Sequence, residues 1–192
     1  YVNGKPMVYL EGASDLVVAD AGQVILINSV NITVEGLNLS STTEGIQLWR
    51  TNNTTISGNN IEANNRDGIW LWDSYNNSIL GNNITSNWAG IYLSFSSNNS
   101  ILGNNITNNC YGIAICGCNN TSISGNNITA NNCDGINLGY SYYNSVSGNN
   151  IEASNWAGIR LVNSLNNTLS GNNIINNEYG IQLEDSSNNS IY

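Results

Sequence analysis

The chain contains no histidine, one proline, one phenylalanine and one methionine, and only 9% of its 192 residues are charged. Without histidine, mechanisms built on an imidazole base are closed to it, Ser-His-Asp triads included. Cations are scarce as well. Four Lys and Arg stand against thirteen Asp and Glu, for a net charge of −9 and a pI near 4.1, so the chain repels phosphate backbones and no nucleic-acid partner is expected. No apolar run approaches the roughly 18 residues of a membrane span. No signal-peptide pattern opens the sequence, which starts at Tyr1 as a processed piece of an exported protein would. Low charge with abundant Asn and Gly would describe disorder, were 40% of the residues not hydrophobic and regularly spaced.

That spacing is a repeat. G-N-N-I recurs at Gly58, Gly81, Gly103, Gly125, Gly148 and Gly171, and G-I recurs at Gly45, Gly68, Gly90, Gly112, Gly135, Gly158 and Gly180. The first six G-I markers each lie 13 residues before the next G-N-N-I, whereas the return takes 9 or 10. Insertions therefore fall in one loop of a unit of 22 or 23 residues. Within G-I-x-L, pairs such as Ile46 with Leu48 and Ile69 with Leu71 share one strand face. A second strand supplies Ile56, Ile79, Ile101 and Ile123, and a third Ile61, Ile84, Ile106 and Ile128. No period near 3.6 is sustained, which excludes helices.

Three short strands per unit predict an all-β, single-stranded, right-handed parallel β-helix of about eight coils, triangular in section. Stacking coils at about 4.8 Å buries aliphatic ladders that no isolated unit buries alone. Asn pairs such as Asn59 with Asn60 fit corners, where Asn tolerates the left-handed region and its amide bonds the equivalent amide above. Residues 21–192 form the repeats. Residues 1–20 fit them poorly and are expected as an irregular first coil or partial cap containing Val8, Leu10, Leu16 and Val18. The sequence ends midway through a unit, so further coils or end-to-end stacking of subunits is expected.

The repeats N-N-S-I-L-G-N-N-I-T and A-G-I-Y-L, and the opening A-G-Q-V-I-L-I-N-S-V-N-I-T-V-E-G-L-N-L, resemble the NosD-like, PbH1-repeat family of parallel β-helices, abundant in surface proteins of methanogenic archaea. The resemblance covers nearly the whole chain and implies the pectin-lyase-like fold. The family is named after a periplasmic protein associated with copper delivery to nitrous oxide reductase, and related folds include polysaccharide lyases and epimerases. The repeats themselves carry neither activity.

Candidate sites fall into three groups. Cys110 and Cys133 occupy equivalent corners of adjacent coils, within disulfide range. Cys116 and Cys118 flank Gly117 and fit a tight local bridge or a link to another chain, the rival being a four-thiolate site for Cu(I) or Zn. With Met7 distant and no paired C-x-x-C motifs, no metal or other cofactor is expected. The outward positions of the G-I-x-L strand carry Trp49, Trp70, Trp72 and Tyr92, with Phe95 just beyond, an aromatic stripe suited to a protein interface or a sugar. Sequons at Asn76, Asn98 and Asn166 lie in accessible turns and are the glycosylation candidates. Glu44 with Asp67 and Arg50 with Asp73 sit at matching positions of neighbouring coils, expected as solvated edges and a stacked ion pair, with Arg66 over Trp88.

The first function these features support is a non-enzymatic structural β-helix of an archaeal cell envelope, surface layer or sheath, extracellular, self-associating or bound to other envelope proteins. The alternatives are a carbohydrate-binding or polysaccharide-processing module using the aromatic face, and a copper-handling protein. The inward assignment is testable at one residue. Ile101→Asn should cost on the order of 3 kcal/mol by burying an unpaired amide, and an unchanged melting temperature would reject it.

Overall fold

A computed structural model describes residues 1–192. It contains strands and turns and no helix, arranged as a right-handed parallel β-helix with three sheets of nine, nine and seven strands. Every strand pairs in parallel with its equivalent one coil away, and the pairing keeps register: Ile69 lies opposite both Ile46 and Ile91, Ile79 between Ile56 and Ile101, Ile84 between Ile61 and Ile106. A coil displaced by one residue would turn its aliphatics to solvent, so the period-2 pattern fixes register. The inward residues merge into one core of 32 buried side chains running the length of the molecule.

Polar side chains hold the corners. Asn59, Asn82, Asn104, Asn126, Asn149 and Asn172 form a column in which one amide oxygen accepts from both the backbone and side-chain N–H of its neighbour. Asn82 Nδ2 also donates to the Ile56 carbonyl at 3.0 Å, and Asn104 Nδ2 to Ile79 at 3.0 Å. Buried backbone groups that the turn would orphan are satisfied this way. The second Asn of each pair builds a separate, exposed column: Asn83 Nδ2 donates to Asn60 Oδ1 at 2.7 Å and Asn105 Nδ2 to Asn83 at 2.8 Å. Hydroxyls do the same at the corner after the first sheet, through Thr51, Ser74, Ser96, Ser141 and Ser164.

The two glycine markers serve different ends. Gly81, before each Asn pair, has φ +61°, a turn conformation costly for L side chains. At Gly68 a Cβ would meet the Gly90 carbonyl oxygen and Ile84 Cγ2, both at 2.7 Å, so coil-to-coil packing excludes a larger residue there. The inserted residue of the longer coils lies in the corner before the G-I strand, where Arg66 has no separate counterpart in the next coil and the Trp88 amide reaches back to its carbonyl at 2.6 Å.

Residues 1–20 take part in the same stacking. Met7–Glu11 pairs with Gln23–Ile27, and Val17–Val18 with Thr33–Glu35. Val8 and Leu10 pack against the core and Val18 is buried within it, while Leu16 is exposed.

The Asn column predicts a large local penalty. Asn104→Ala removes the acceptor of two Asn82 N–H groups and the donor to Ile79. It should destabilise the protein by about 2–4 kcal/mol in chemical denaturation, and a loss under 1 kcal/mol would show the column to be dispensable.

Candidate functional site

The outward face of the first sheet carries the aromatic residues. Gln47, Trp70 and Tyr92 lie side by side in one column, and Trp49 with Trp72 in the next. Trp49 meets Trp70 edge-on at 5.6 Å and Trp72 at 4.7 Å. Trp49, Trp70 and Trp72 are consequently half-buried against one another rather than free, Tyr92 is half-buried in the column beside Trp70, and Phe95, 58% exposed, is the open member. Arg50 forms the ion pair with Asp73 at 3.4 Å and lies over Trp72. Arg66 lies over Trp70 at 5.9 Å, not over Trp88, whose ring packs at 5.3 Å on Tyr111 of the next coil.

Beyond Tyr92 and Ser94 the same columns continue with Ala114, Cys116 and Gly139, and the surface drops. The result is a trough of about 320 Å³, walled by Trp88, Tyr92, Tyr111 and Tyr140 and closed along the axis by Arg160 and Val162. A second hollow of about 200 Å³, bordered by Asp134 and Trp156, shares Tyr111 and Arg160 with it. Trp88 and Tyr140 are 49% and 57% exposed, so aromatic faces are available to a ligand. Asn137 Nδ2 donates to Asp134 Oδ2 at 2.7 Å, and Asp134 Oδ1 accepts from the Ala157 amide at 3.2 Å. Arg160 Nη2 donates to Glu184 at 2.7 Å. The trough thus offers flat apolar surfaces and a few hydrogen-bonding groups, with no nucleophile beside a base. The sequence signal for it was the replacement of Trp and Tyr by Ala114 and Gly139 within outward columns, which the aromatic residues themselves obscured.

Cys110 and Cys133 are disulfide-linked across adjacent coils, with Cα atoms 4.9 Å apart. They sit at the corner that carries Trp88 and Trp156 on the flanking coils. Cys116 and Cys118 form no bridge. The strand ends between them, so Cys116 faces outward on the trough floor while Cys118 turns into the core, in the column otherwise made of hydroxyls. Burial pushes the Cys118 thiol up to about 12, which leaves it protonated and inert. The sequon residues Asn76 and Asn98 are exposed and Asn166 half-buried, all at left-handed turn positions. Asn83, Asn105 and Asn127, in sequons of their own, are equally exposed.

Glu44 and Asp67 are not solvated. They occupy the corner position just before the first sheet's G-I step, and Asp67 is 1% exposed with neither carboxylate oxygen hydrogen-bonded. Burial pushes its carboxyl up to about 6, and Glu44 adds to the rise. Arg66 opposes it, as does the nearby Ala89 amide, which does not reach hydrogen-bond geometry. Glu44 is raised by burial too, with Arg66 opposing from 3.6 Å. Because the folded protein holds the Asp67 proton more tightly than the unfolded chain does, this group's contribution is full below about pH 4 and lost as pH rises to about 6. Asp67→Asn, a mimic of the protonated acid, should melt like the parent near pH 4 and be more stable by on the order of 2–3 kcal/mol at pH 7. A difference that does not vary with pH would reject the desolvated carboxylate.

The fold is shared with solved structures at low identity. A double mutant of the periplasmic alginate epimerase AlgG superposes with a TM-score of 0.79 at 19% identity, covering 98% of this chain and 51% of that one. The A-module of the mannuronan C-5 epimerase AlgE4 of Azotobacter vinelandii gives 0.67 at 18%, covering 97% and 56%. The Dettilon tailspike protein gives 0.70 at 19%, covering 86% and 42%. The chain therefore spans about half the length of these proteins. No curated protein matches it. The family model described as periplasmic copper-binding protein (NosD) matches residues 7–134 and 109–192, and over that length the chain belongs to the NosD family.

Proposed function

We propose that this chain is a non-enzymatic, non-cytoplasmic β-helix that binds glycan in the trough over Ala114, Cys116 and Gly139. The observation that carries the reading is the trough itself, a step in the outward face of an otherwise regular sheet, walled by aromatic rings and holding hydrogen-bonding groups at one side. Pyranose rings present flat C–H faces to such walls and hydroxyls to such groups. The kinship with NosD, described as periplasmic, and the likeness to a periplasmic epimerase and a tailspike protein support a location outside the cytoplasm. Binding without chemistry fits a trough whose lining holds no carboxylate, and the engagement of Asp134, beside the second hollow, by Asn137 and the Ala157 amide.

Copper does not fit these residues. Histidine is absent, Met7 stands alone, Cys110 and Cys133 are bonded to each other, and Cys116 and Cys118 face opposite sides of the sheet wall. No three His, Cys, Asp or Glu side chains converge, whereas a soft ion needs several thiolate, thioether or imidazole donors on one point.

A second reading, a building block of an archaeal cell envelope that associates with itself or with envelope proteins, draws support from the continuous side-chain columns and the Cys110–Cys133 link. These suit a stiff rod, and the aromatic cluster of Trp49, Trp70 and Trp72 would then be a contact surface. The two readings part on one measurement. Affinity electrophoresis in polysaccharide gels should retard the protein, and Trp88→Ala and Tyr140→Ala should each weaken binding by about 1–2 kcal/mol. Retardation that survives both substitutions, or none with any glycan, would favour the envelope reading.

A further inference from the structure

Resting on the glycan reading, we infer that the trough selects neutral hexopyranose chains and rejects polyuronates, the polyanionic class to which mannuronan belongs. A uronate carboxylate needs a cation, and this chain has only four Lys and Arg. Each is already paired: Lys5 with Asp20 at 3.4 Å, Arg50 with Asp73 at 3.4 Å, Arg66 with Glu44 at 3.6 Å and Arg160 with Glu184 at 2.7 Å.

Arg160 is the one cation that borders the trough. Its Nη2 is turned to Glu184, and its Nε is buried without a partner, out of reach of a ligand. The fork that would grip a carboxylate in two places is thereby occupied on one side and sealed on the other. Arg160 and Glu184 cancel, and Asp134 leaves the site with a residual negative charge, on a chain whose net charge is −9. An anionic polymer meets repulsion over about one Debye length, some 8–10 Å at ordinary salt.

The remaining groups suit neutral sugar. Trp88, Tyr92, Tyr111 and Tyr140 supply ring faces and phenol hydroxyls. Asn137 borders the trough with one amide N–H held by the buried Asp134 at 2.7 Å, which leaves its carbonyl oxygen and second N–H as an acceptor and a donor for neighbouring hydroxyls. Because the two hollows meet at Tyr111 and Arg160, a chain lying across the sheet would contact both. The same arrangement places the Cys116 thiol on the floor beneath it, where it serves as a reporter.

The test uses the whole chain with its disulfide intact. Hexaoses of β-1,4-linked glucose, mannose and galactose and a hexamannuronate are titrated calorimetrically, and iodoacetamide alkylation of Cys116 is timed with and without each. At least one neutral hexaose should bind and slow alkylation several-fold, and hexamannuronate should do neither. Glu184→Gln, which frees Arg160, should raise the ratio of acidic to neutral affinity by roughly fivefold or more. Hexamannuronate binding to the parent chain as tightly as the neutral sugars would overturn the selectivity and leave the glycan reading standing. Failure of all four oligosaccharides to bind or to shield Cys116 would overturn both.

Discussion

Register between successive coils is the constraint on which this molecule depends. Each coil has three short strands and no partner within itself, so its backbone hydrogen bonds and its apolar contacts are both made with the coils above and below. The sheets supply these bonds along the strands. At the corners, where a turning backbone would leave buried amides unpaired, the Asn and hydroxyl columns take over, each residue serving the one above it. Repetition is thus physically required: an Asn at one corner is useful only if a compatible group stands 22 or 23 residues away.

Such strictness inside leaves the outside free. Residues such as Trp70, Tyr92, Ala114, Asn137 and Arg160 occupy one outward column with no demand for sameness, and their differences in size carve the surface. Large rings in the early coils pack on one another; small residues in the middle coils open the trough; Arg160 closes it. The variable corner adds Trp88, Trp156 and the disulfide. A binding site arises here from a local failure of the repeat, supported by a scaffold that does not vary.

Two buried groups show how far the columns tolerate exceptions. Cys118 replaces a hydroxyl and keeps its role, accepting from the Ser96 amide at 3.3 Å and taking the Ser141 hydroxyl as partner for its own amide. Asp67 is different. Its carboxylate is enclosed without a hydrogen bond while Asp134, three coils later in the same column, is satisfied by Asn137 and the Ala157 amide. The contrast makes Asp67 a costly residue at neutral pH and Asp134 a tolerable one.

The sequence by itself determined the fold, because the period of 22 or 23 residues, the three aliphatic sets and the Gly and Asn markers are local patterns that each specify a strand face or a corner. Adjacency between coils also followed from the period, which is why Cys110 and Cys133 could be placed together. What lay beyond it was everything set by the shape of neighbours. Spacing names the column a side chain occupies but not whether the next residue in that column leaves it open, so the self-packing of Trp49, Trp70 and Trp72, the hollow above Gly139 and the choice of Trp70 over Trp88 by Arg66 were decided by the tertiary structure. Burial of Glu44 and Asp67 was decided there as well, since an acidic residue at a corner reads as solvated until the surrounding coils enclose it.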